Sequence, residues 1–382
     1  MKKLATLLIA FTTFSATAGV ITCSNNPNSP GQYTSLQTAI DNASLNDTIL
    51  IQGSATSYGA ITINTFGVTL IGAGYNNPYG DITTVDVVNL NRLANFSPDG
   101  TKLIGLNIYY IKFNGYFTGA TAGESVINDI SVDRCQFRAS GSQASSSGSF
   151  QFTYGYASDE FSNISIRNCL FKGTYWALNC HSQSGPFNNT LTNWIFENNI
   201  FDAVWMVLPS GALDYSSMIF RNNLFINGGG SSLFIYSGAT TAITNGPLFE
   251  NNIFYASEPA GAINCTFNNN LTYVCSDDNL IYAGNPGSTG GGNVIGQDPQ
   301  FVNYPLVGGA FLYTYDFNLN TGSPAIGTGS SGTDIGVYGG IIPYEVGVNP
   351  SVPQMESITT PLGSTVSQGT NLNVTFKTFK QD

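Results

Sequence analysis

A short pattern of apolar and polar positions recurs along the middle of the chain. Each copy has an apolar residue, a charged or polar residue, two corner positions rich in asparagine, and a closing pair that is mostly apolar. The copies lie at 132–137, 166–171, 196–201, 220–225, 249–254 and 267–272. A fixed motif at variable spacing is typical of a solenoid whose coils carry loops of different length. The pattern therefore predicts an all-β protein built as a right-handed parallel β-helix.

Stacking the coils turns each position of the motif into a column, because equivalent residues then lie about 4.8 Å apart. Two columns are apolar and are predicted to point inward: Val132, Ile166, Phe196, Phe220, Phe249 and Phe267, and then Phe137, Phe171, Phe201, Phe225 and Phe254. Between them lie Asn199, Asn223, Asn252 and Asn270, with Cys135 and Cys169 in the same position of the first copies. We expect a buried ladder of amides that satisfy one another from coil to coil.

The second position of the motif alternates in charge from coil to coil. Its members are Asp133, Arg167, Glu197, Arg221, Glu250 and Asn268. Opposite charges on neighbouring strands stabilise pairing, whereas like charges weaken it. We therefore expect an ion-pair ladder that fixes the register of the coils and keeps these residues out of any catalytic site.

The flanking segments predict the limits of the solenoid. An amphipathic helix is predicted over 36–45, followed by strands at 48–52, 60–64, 68–72 and 103–113. The helix would cover the open edge of the first coil, as a cap does in other solenoids. We predict a β-helix over 19–345 and a small β element in the tail, 346–382.

The first 18 residues have the pattern of a signal peptide. Lys2 and Lys3 precede an apolar run, and Ala16 and Ala18 fit a cleavage site before Gly19. No later run reaches the roughly 20 apolar residues that span a bilayer. We expect export to the extracellular space or the cell surface, where the chain's six cysteines could form accessory disulfides.

The composition limits which classes of macromolecule the protein can bind. Charged residues make up 9% of the chain and the net charge is −11. This acidic balance excludes nucleic acid as a binding partner, because phosphate binding needs clustered Lys and Arg. It also repels anionic polysaccharides on average, although a local basic groove can hold one.

The repeats resemble those of the pectate-lyase-like superfamily of right-handed β-helices. The resemblance rests on 36–40 followed by 46–51, and on the asparagines Asn199, Asn223 and Asn252. The stretches 298–301, 316–326 and 334–339 are similar to the closing segment of secreted, functionally uncharacterised β-helix proteins of Bacteroidetes type. The resemblance covers roughly 20–345 and implies a fold shared by polysaccharide lyases, hydrolases and epimerases.

A lyase of this kind would neutralise a uronate carboxylate, often with calcium, and remove a proton with Arg or Lys. Arg138 and Lys172 hold equivalent outward positions on consecutive coils, with Asp202 on the next, and are the catalytic candidates. Their alternative role is a further outward charge stack. Asp277 and Asp278, the adjacent acidic pair, are the candidate calcium ligands, with capping of a turn as the alternative.

Aromatic residues in the inserted loops are the candidate sugar-binding residues. Tyr154, Tyr175, Trp176 and Trp205 would form a stacked platform for sugar rings if they face outward, whereas alternation would place them in the core. His181, the single histidine, shows no orienting acid for catalysis. The sequence favours a secreted or surface-displayed protein that binds polysaccharide without catalysis. The alternative is a lyase or hydrolase acting on an acidic polysaccharide.

Overall fold

The computed structural model describes residues 18–27, 29–76, 80–115, 126–138, 148–152, 159–173, 176–179, 190–209, 213–229, 234–237, 243–345, 354–359 and 375–379. Residues 1–17 of the expected signal peptide lie outside this part of the chain.

The strands of the first half are short and follow one another closely. In chain order they are β1 (Val20–Cys23), β2 (Thr48–Ile51), β3 (Ala60–Ile63), β4 (Thr69–Ile71), β5 (Thr84–Asn91), β6 (Lys102–Ile104), β7 (Asn107–Asn114), β8 (Val126–Asn128), β9 (Ser131–Asp133), β10 (Gln136–Arg138), β11 (Gly148–Phe152), β12 (Glu160–Arg167), β13 (Leu170–Lys172), β14 (Trp176–Asn179), β15 (Thr190–Glu197) and β16 (Ile200–Asp202).

The second half continues in the same way and ends in antiparallel pairs. Its strands are β17 (Trp205–Pro209), β18 (Leu213–Asp214), β19 (Ile219–Arg221), β20 (Leu224–Gly229), β21 (Phe234–Ser237), β22 (Ile243–Asn245), β23 (Leu248–Glu250), β24 (Ile253–Ser257), β25 (Thr266–Asn268), β26 (Leu271–Tyr273), β27 (Thr289–Gly291), β28 (Phe301–Asn303), β29 (Asp316–Leu319), β30 (Gln354–Thr359) and β31 (Thr375–Phe379). The pair β30 and β31 forms the β element of the tail.

Parallel pairing of these strands forms a right-handed β-helix, which confirms the fold class predicted from the repeat. The first sheet runs β1-β2-β4-β6-β9-β12-β15-β19-β23-β25-β27, with β8 also paired to β12. The second sheet runs β21-β17-β14-β11-β7-β10-β13-β16-β20-β24-β26, and β5 and β3 continue from β7. Between β9 and β10 the chain passes from the first sheet to the second through Arg134 and Cys135, a two-residue corner that later coils repeat.

Helix α1 (Leu36–Asp41) covers the first coil. The Ser35 hydroxyl accepts a hydrogen bond from the Thr38 N–H at its N-terminus, and Leu36, Ala39 and Ile40 are buried. The helix is shorter than predicted: it ends at the cap residue Asn42, after which the Ala43 N–H bonds to the Ile40 carbonyl, three residues back, and not to the fourth. Within the described residues, no helix is long and apolar enough to cross a membrane.

The segment predicted as one strand over 103–113 is two strands, β6 and β7. Gly105, between them, has φ +62° and turns the chain at a corner. A glycine adopts this left-handed backbone without steric cost, so the apolar run on either side is divided between the two sheets.

The first residue of each corner also has a left-handed backbone. Its φ lies between +51° and +57° in successive coils, at Arg134, Asn168, Asn198, Asn222, Asn251 and Asn269. Asparagine tolerates this conformation better than most residues that carry a Cβ. The backbone of the corner thus explains the asparagines at the third position of the motif, which we call the outer asparagine column (Asn168, Asn198, Asn222, Asn251 and Asn269).

The second corner residue points inward and forms the predicted amide ladder. The N–H and Nδ2 of Asn199 both donate to Asn223 Oδ1 at 3.0 Å. The same two bonds join Asn223 to Asn252 and Asn252 to Asn270, all at 2.9 Å. The ladder continues to Asn293, which the motif search missed because no repeat copy surrounds it. We call these residues the inner asparagine ladder.

Cys135 and Cys169 hold the ladder position in the first two repeat coils. The Cys169 N–H donates to Asn199 Oδ1 at 2.9 Å, so the ladder ends on this residue. Burial raises the pKa of the Cys169 thiol well above its ordinary value. Cys23, Cys135, Cys169 and Cys275 are free thiols.

The predicted apolar columns are confirmed as stacks of aromatic rings in the core. Phe137 and Phe171 have ring centroids 4.8 Å apart, and Phe171 and Phe201 4.6 Å, with each pair within 11° of parallel. Phe196 and Phe220 stack in the same way at 4.7 Å. The strand spacing therefore sets the ring spacing, and the two columns fill the core without large gaps.

The alternating charges lie in the predicted register, and two ion pairs form between coils. Glu197, which is buried, lies 2.8 Å from Arg167 Nε and 2.7 Å from an Nη atom of Arg221. Asp133 instead binds its sequence neighbour Arg134, at 2.9 Å. The ladder is thus centred on one carboxylate between two guanidinium groups.

Residues 301–345, which we call the C-terminal strap, fold back along the outside of the β-helix. A second hydrophobic core joins the strap to outward residues of the second sheet; its members include Leu170, Ile200, Leu224, Ile253, Phe311, Phe317, Ile335 and Val337. At one end of this core the hydroxyl groups of Tyr75 and Tyr344 lie 2.7 Å apart. The strap therefore covers an outer face of the solenoid that the repeat pattern left unexplained.

The side-chain amides of the outer asparagine column bond mainly to backbone groups of the strap. Asn198 Nδ2 donates to the carbonyls of Val337 and Gly339, both at 2.8 Å. Asn251 Nδ2 donates to Ser330 Oγ, and its Oδ1 accepts from the Ser330 N–H, also at 2.8 Å. Four successive coils thus present one amide each to the strap, those of Asn198, Asn222, Asn251 and Asn269.

We predict that Asn223→Ala lowers the free energy of unfolding by about 2–4 kcal/mol, because buried donors and acceptors on both neighbouring coils lose their partners. Chemical denaturation followed by far-UV circular dichroism measures the change. Asn268→Ala, at the outward position of a later coil, is the matched control and should cost less than about 1 kcal/mol. Equal losses in the two variants would contradict the role of the ladder.

Candidate functional site

The three catalytic candidates lie side by side on the second sheet. Arg138 on β10 pairs in register with Lys172 on β13, and Lys172 pairs with Asp202 on β16. The structure therefore brings these residues together as the repeat alignment predicts.

The strap covers this column and uses two of its charges. Lys172 Nζ donates to the Phe311 carbonyl at 2.7 Å and lies 5.4 Å from the centre of the Phe311 ring. The Phe311 N–H donates to Asp202 Oδ2 at 3.0 Å, so both backbone groups of Phe311 are bound. Lys172 and Asp202 thus anchor the strap and do not line an open groove.

Burial changes the ionisation of Asp202, which is 4% exposed. Loss of hydration raises the pKa of its carboxyl, although the Phe311 N–H, the Asn227 amide and the Lys172 charge oppose this shift. The carboxylate is satisfied by these partners, and a general base would instead need a free oxygen facing the substrate.

Arg138 is held against an aromatic ring. An Nη atom donates to the Tyr109 hydroxyl at 3.2 Å, and the guanidinium lies 4.7 Å from the centre of the Tyr109 ring. Its Nε is buried with no hydrogen-bond partner among the described residues. Arg138 is therefore packed on the sheet beside Tyr109.

Trp176 and Trp205 form the other candidate feature. They are register partners on the adjacent strands β14 and β17, and both side chains are partly exposed. The register shifts directly after Trp176, a β-bulge, so that Leu178 and Met206 pair and are both buried. The bulge thus places two partly exposed indoles side by side above a closed core.

Two aromatic residues of the neighbouring strand lie in the core, and the remaining candidate aromatics lie outside the described residues. Phe150 and Phe152 on β11 are buried and pack against Phe113, as strand alternation predicts. Tyr154 and Tyr175, and also His181, lie outside the described residues.

The candidate calcium ligands cap a turn. Asp277 Oδ1 accepts from the Asn279 N–H at 2.9 Å, and Asp278 Oδ1 accepts from the Cys275 N–H at 3.2 Å. Within the described part of the chain, no group of three or more His, Cys, Asp or Glu side chains could hold a metal ion. The pair has the turn geometry that is the alternative to metal binding.

Comparison with known proteins finds similarity to solved structures alone. No family model matches the chain, and neither does any curated protein. Among solved structures, the crystal structure of pectate lyase Pel9A is similar, with 12% identity, a TM-score of 0.35, and coverage of 87% of this chain and 98% of that chain. The fold assignment rests on the strand pairing described above, and the activity of that enzyme is not transferred to this chain.

The strap and the outer asparagine column are the features that the sequence analysis missed. The apolar residues Phe311, Phe317, Ile335 and Val337 were a signal for the strap, because they continue after the last repeat copy. A second signal was the corner asparagine, whose amide points away from the core and needs a partner.

We predict that Lys172→Met loosens the strap, because the variant loses a hydrogen bond and a contact with the Phe311 ring. The free energy of unfolding should fall by about 1–2 kcal/mol, and chymotrypsin should cleave near Phe311 faster. Lys102→Met, at an exposed position of β6, is the control. Wild-type cleavage rates in Lys172→Met would contradict the anchoring role.

Proposed function

We propose that this protein is a secreted or surface-displayed β-helix protein that binds polysaccharide and does not cleave it. The observation that carries the proposal is the pair of partly exposed indoles, Trp176 and Trp205, on adjacent coils. Indole faces bind the apolar faces of sugar rings, while polar neighbours bind the hydroxyl groups.

The geometry of the coils suits a polymer better than a single sugar. Strands β14 and β17 lie about 4.8 Å apart, so the two indoles form a strip that runs along the solenoid axis. A chain of sugar rings has its own repeat and can contact both indoles at once. The net charge of −11 favours a neutral polysaccharide over an anionic one.

The charged residues of the second sheet support binding over catalysis. The rival function is a lyase or hydrolase acting on an acidic polysaccharide through Arg138, Lys172 and Asp202, which share one register column. Lys172 and Asp202 are bound to Phe311, and Arg138 is packed on Tyr109. A substrate would have to displace the strap to reach Lys172 and Asp202.

We predict that Trp176→Ala and Trp205→Ala each weaken polysaccharide binding about tenfold or more, because a large contact surface is lost in each case. Affinity electrophoresis through gels that contain neutral or acidic polysaccharides identifies the ligand, and calorimetry measures the affinity. Phe66→Ala removes an exposed aromatic ring elsewhere and is the matched control.

Two results would overturn the proposal. One is wild-type binding in both tryptophan variants. The other is release of unsaturated or reducing sugar ends by the wild-type protein and not by Lys172→Ala, which would establish the rival enzymatic function.

A further inference from the structure

The first coil of the solenoid has a carboxylate at a position where later coils have uncharged core residues. Asp47 directly precedes β2, and the strand register aligns it with Val68 and Thr101 on the next two coils. The same column continues through Ile130, Ile164, Trp194 and Met218. These later residues are at most 1% exposed, and Asp47 is 7% exposed. A charged group therefore occupies a buried position of the first coil.

No cationic side chain within the described part of the chain pairs with Asp47. The described ion pairs join arginines to Asp133 and Glu197 instead. Asp47 Oδ2 accepts the Ser44 N–H at 2.8 Å, and Oδ1 accepts the Gly19 N–H at 2.6 Å. A buried carboxylate is destabilising unless hydrogen bonds and an opposite charge compensate it. The two backbone groups provide the hydrogen bonds, and neither of them carries a full charge.

Gly19 is held against Asp47 by the first step of strand pairing. The Thr48 N–H donates to the Gly19 carbonyl at 2.9 Å, and Val20 pairs with Thr48 where β1 meets β2. A side chain at position 19 would place its Cβ only 3.1 Å from Asp47 Oδ1. Because glycine has no Cβ, the Gly19 nitrogen can approach the carboxylate closely.

The residue bound by Asp47 is also the residue at which the chain is expected to begin after export. The small residues Ala16 and Ala18 predict cleavage of the Ala18–Gly19 bond by a signal peptidase. Hydrolysis adds one water molecule to this bond, leaves a carboxylate on Ala18 and releases the Gly19 nitrogen as an amino group. A terminal amino group has an ordinary pKa of about 7.7–8.0, so it takes up a proton at neutral pH. Cleavage thus converts the nitrogen beside Asp47 from an amide to an ammonium.

We propose that maturation at Gly19 completes the first coil through an ion pair between the Gly19 ammonium and the Asp47 carboxylate. A charged donor makes a stronger hydrogen bond to a carboxylate than an amide does. Strand β1 is the end strand of the first sheet, so the ion pair fixes the strand that most readily frays. The cleavage belongs to the proposed secretion, so the ion pair rests on that part of the function and not on polysaccharide binding.

Expression of the full chain, residues 1–382, in a bacterial host tests where the chain is cleaved. Intact mass and N-terminal sequencing of the exported protein should identify Gly19 as its first residue. An exported protein with another first residue would overturn the ion pair and leave secretion standing. A chain that is not exported would overturn both.

A comparison of two chain starts tests the charge. The chain that begins at Gly19 has an ammonium beside Asp47, whereas the chain that keeps Ala18 has an amide there. The N–H groups of Thr48 and Gln52 bond to carbonyls of residues 19 and 23, so their hydrogen exchange reports the opening of β1 from β2. We expect exchange about fivefold or more slower in the chain that begins at Gly19.

Asp47→Asn tests the carboxylate in both chains. The variant keeps an acceptor oxygen and removes the charge, so the two chain starts should exchange at the same rate. Asp41→Asn removes an exposed carboxylate at the end of α1 and is the matched control, in which the fivefold difference should remain. Thermal unfolding establishes that the variants are folded. If Asp47→Asn does not fold, the two chain starts decide the question, because neither carries a substitution.

Two results of the exchange measurement would contradict the ion pair. One is equal exchange of the two chain starts with Asp47 present. The other is a difference that persists in full in folded Asp47→Asn. Polysaccharide binding should be unchanged in Asp47→Asn, so the ion pair and the tryptophan site fail separately.

Discussion

The architecture depends on a two-residue corner that the chain repeats in each coil. The first residue must adopt a left-handed backbone, and the second places a polar side chain inside the solenoid. Asparagine meets both demands, because it tolerates the left-handed conformation and its amide can donate and accept at once. In the inner ladder Asn223 accepts from Asn199 and donates to Asn252, so no coil can shift without leaving a buried polar group unpaired.

The outward-facing amides of the same corners hold the C-terminal strap against the solenoid. The outer column binds the strap through amide groups, and Phe311 of the strap then bonds to Lys172 and to the buried Asp202. The ion pairs of Glu197 occupy further charges on the first sheet. These charged groups are thus engaged in structural contacts, and the proposed binding of polysaccharide relies instead on the partly exposed Trp176 and Trp205.

The repeat made much of the fold predictable from the sequence. The apolar columns, the inner ladder and the charge register all follow from the alignment of short motifs, because parallel coils place equivalent residues in direct contact. The strap was not predictable in this way, since its contacts join residues far apart in the chain, such as Tyr75 and Tyr344. The register of Arg138, Lys172 and Asp202 was predicted, whereas the bonds of Lys172 and Asp202 to the strap could not be.

Residue-resolved hydrogen exchange tests the central claim, that the inner ladder holds the coils together. The backbone N–H groups of Cys169, Asn199, Asn223 and Asn252 each donate to the amide oxygen of the next coil. The account predicts that these N–H groups exchange only through global unfolding, together with those of the neighbouring strands. Exchange of these groups as fast as that of unbonded, solvent-exposed N–H groups, while the strands stay protected, would contradict it.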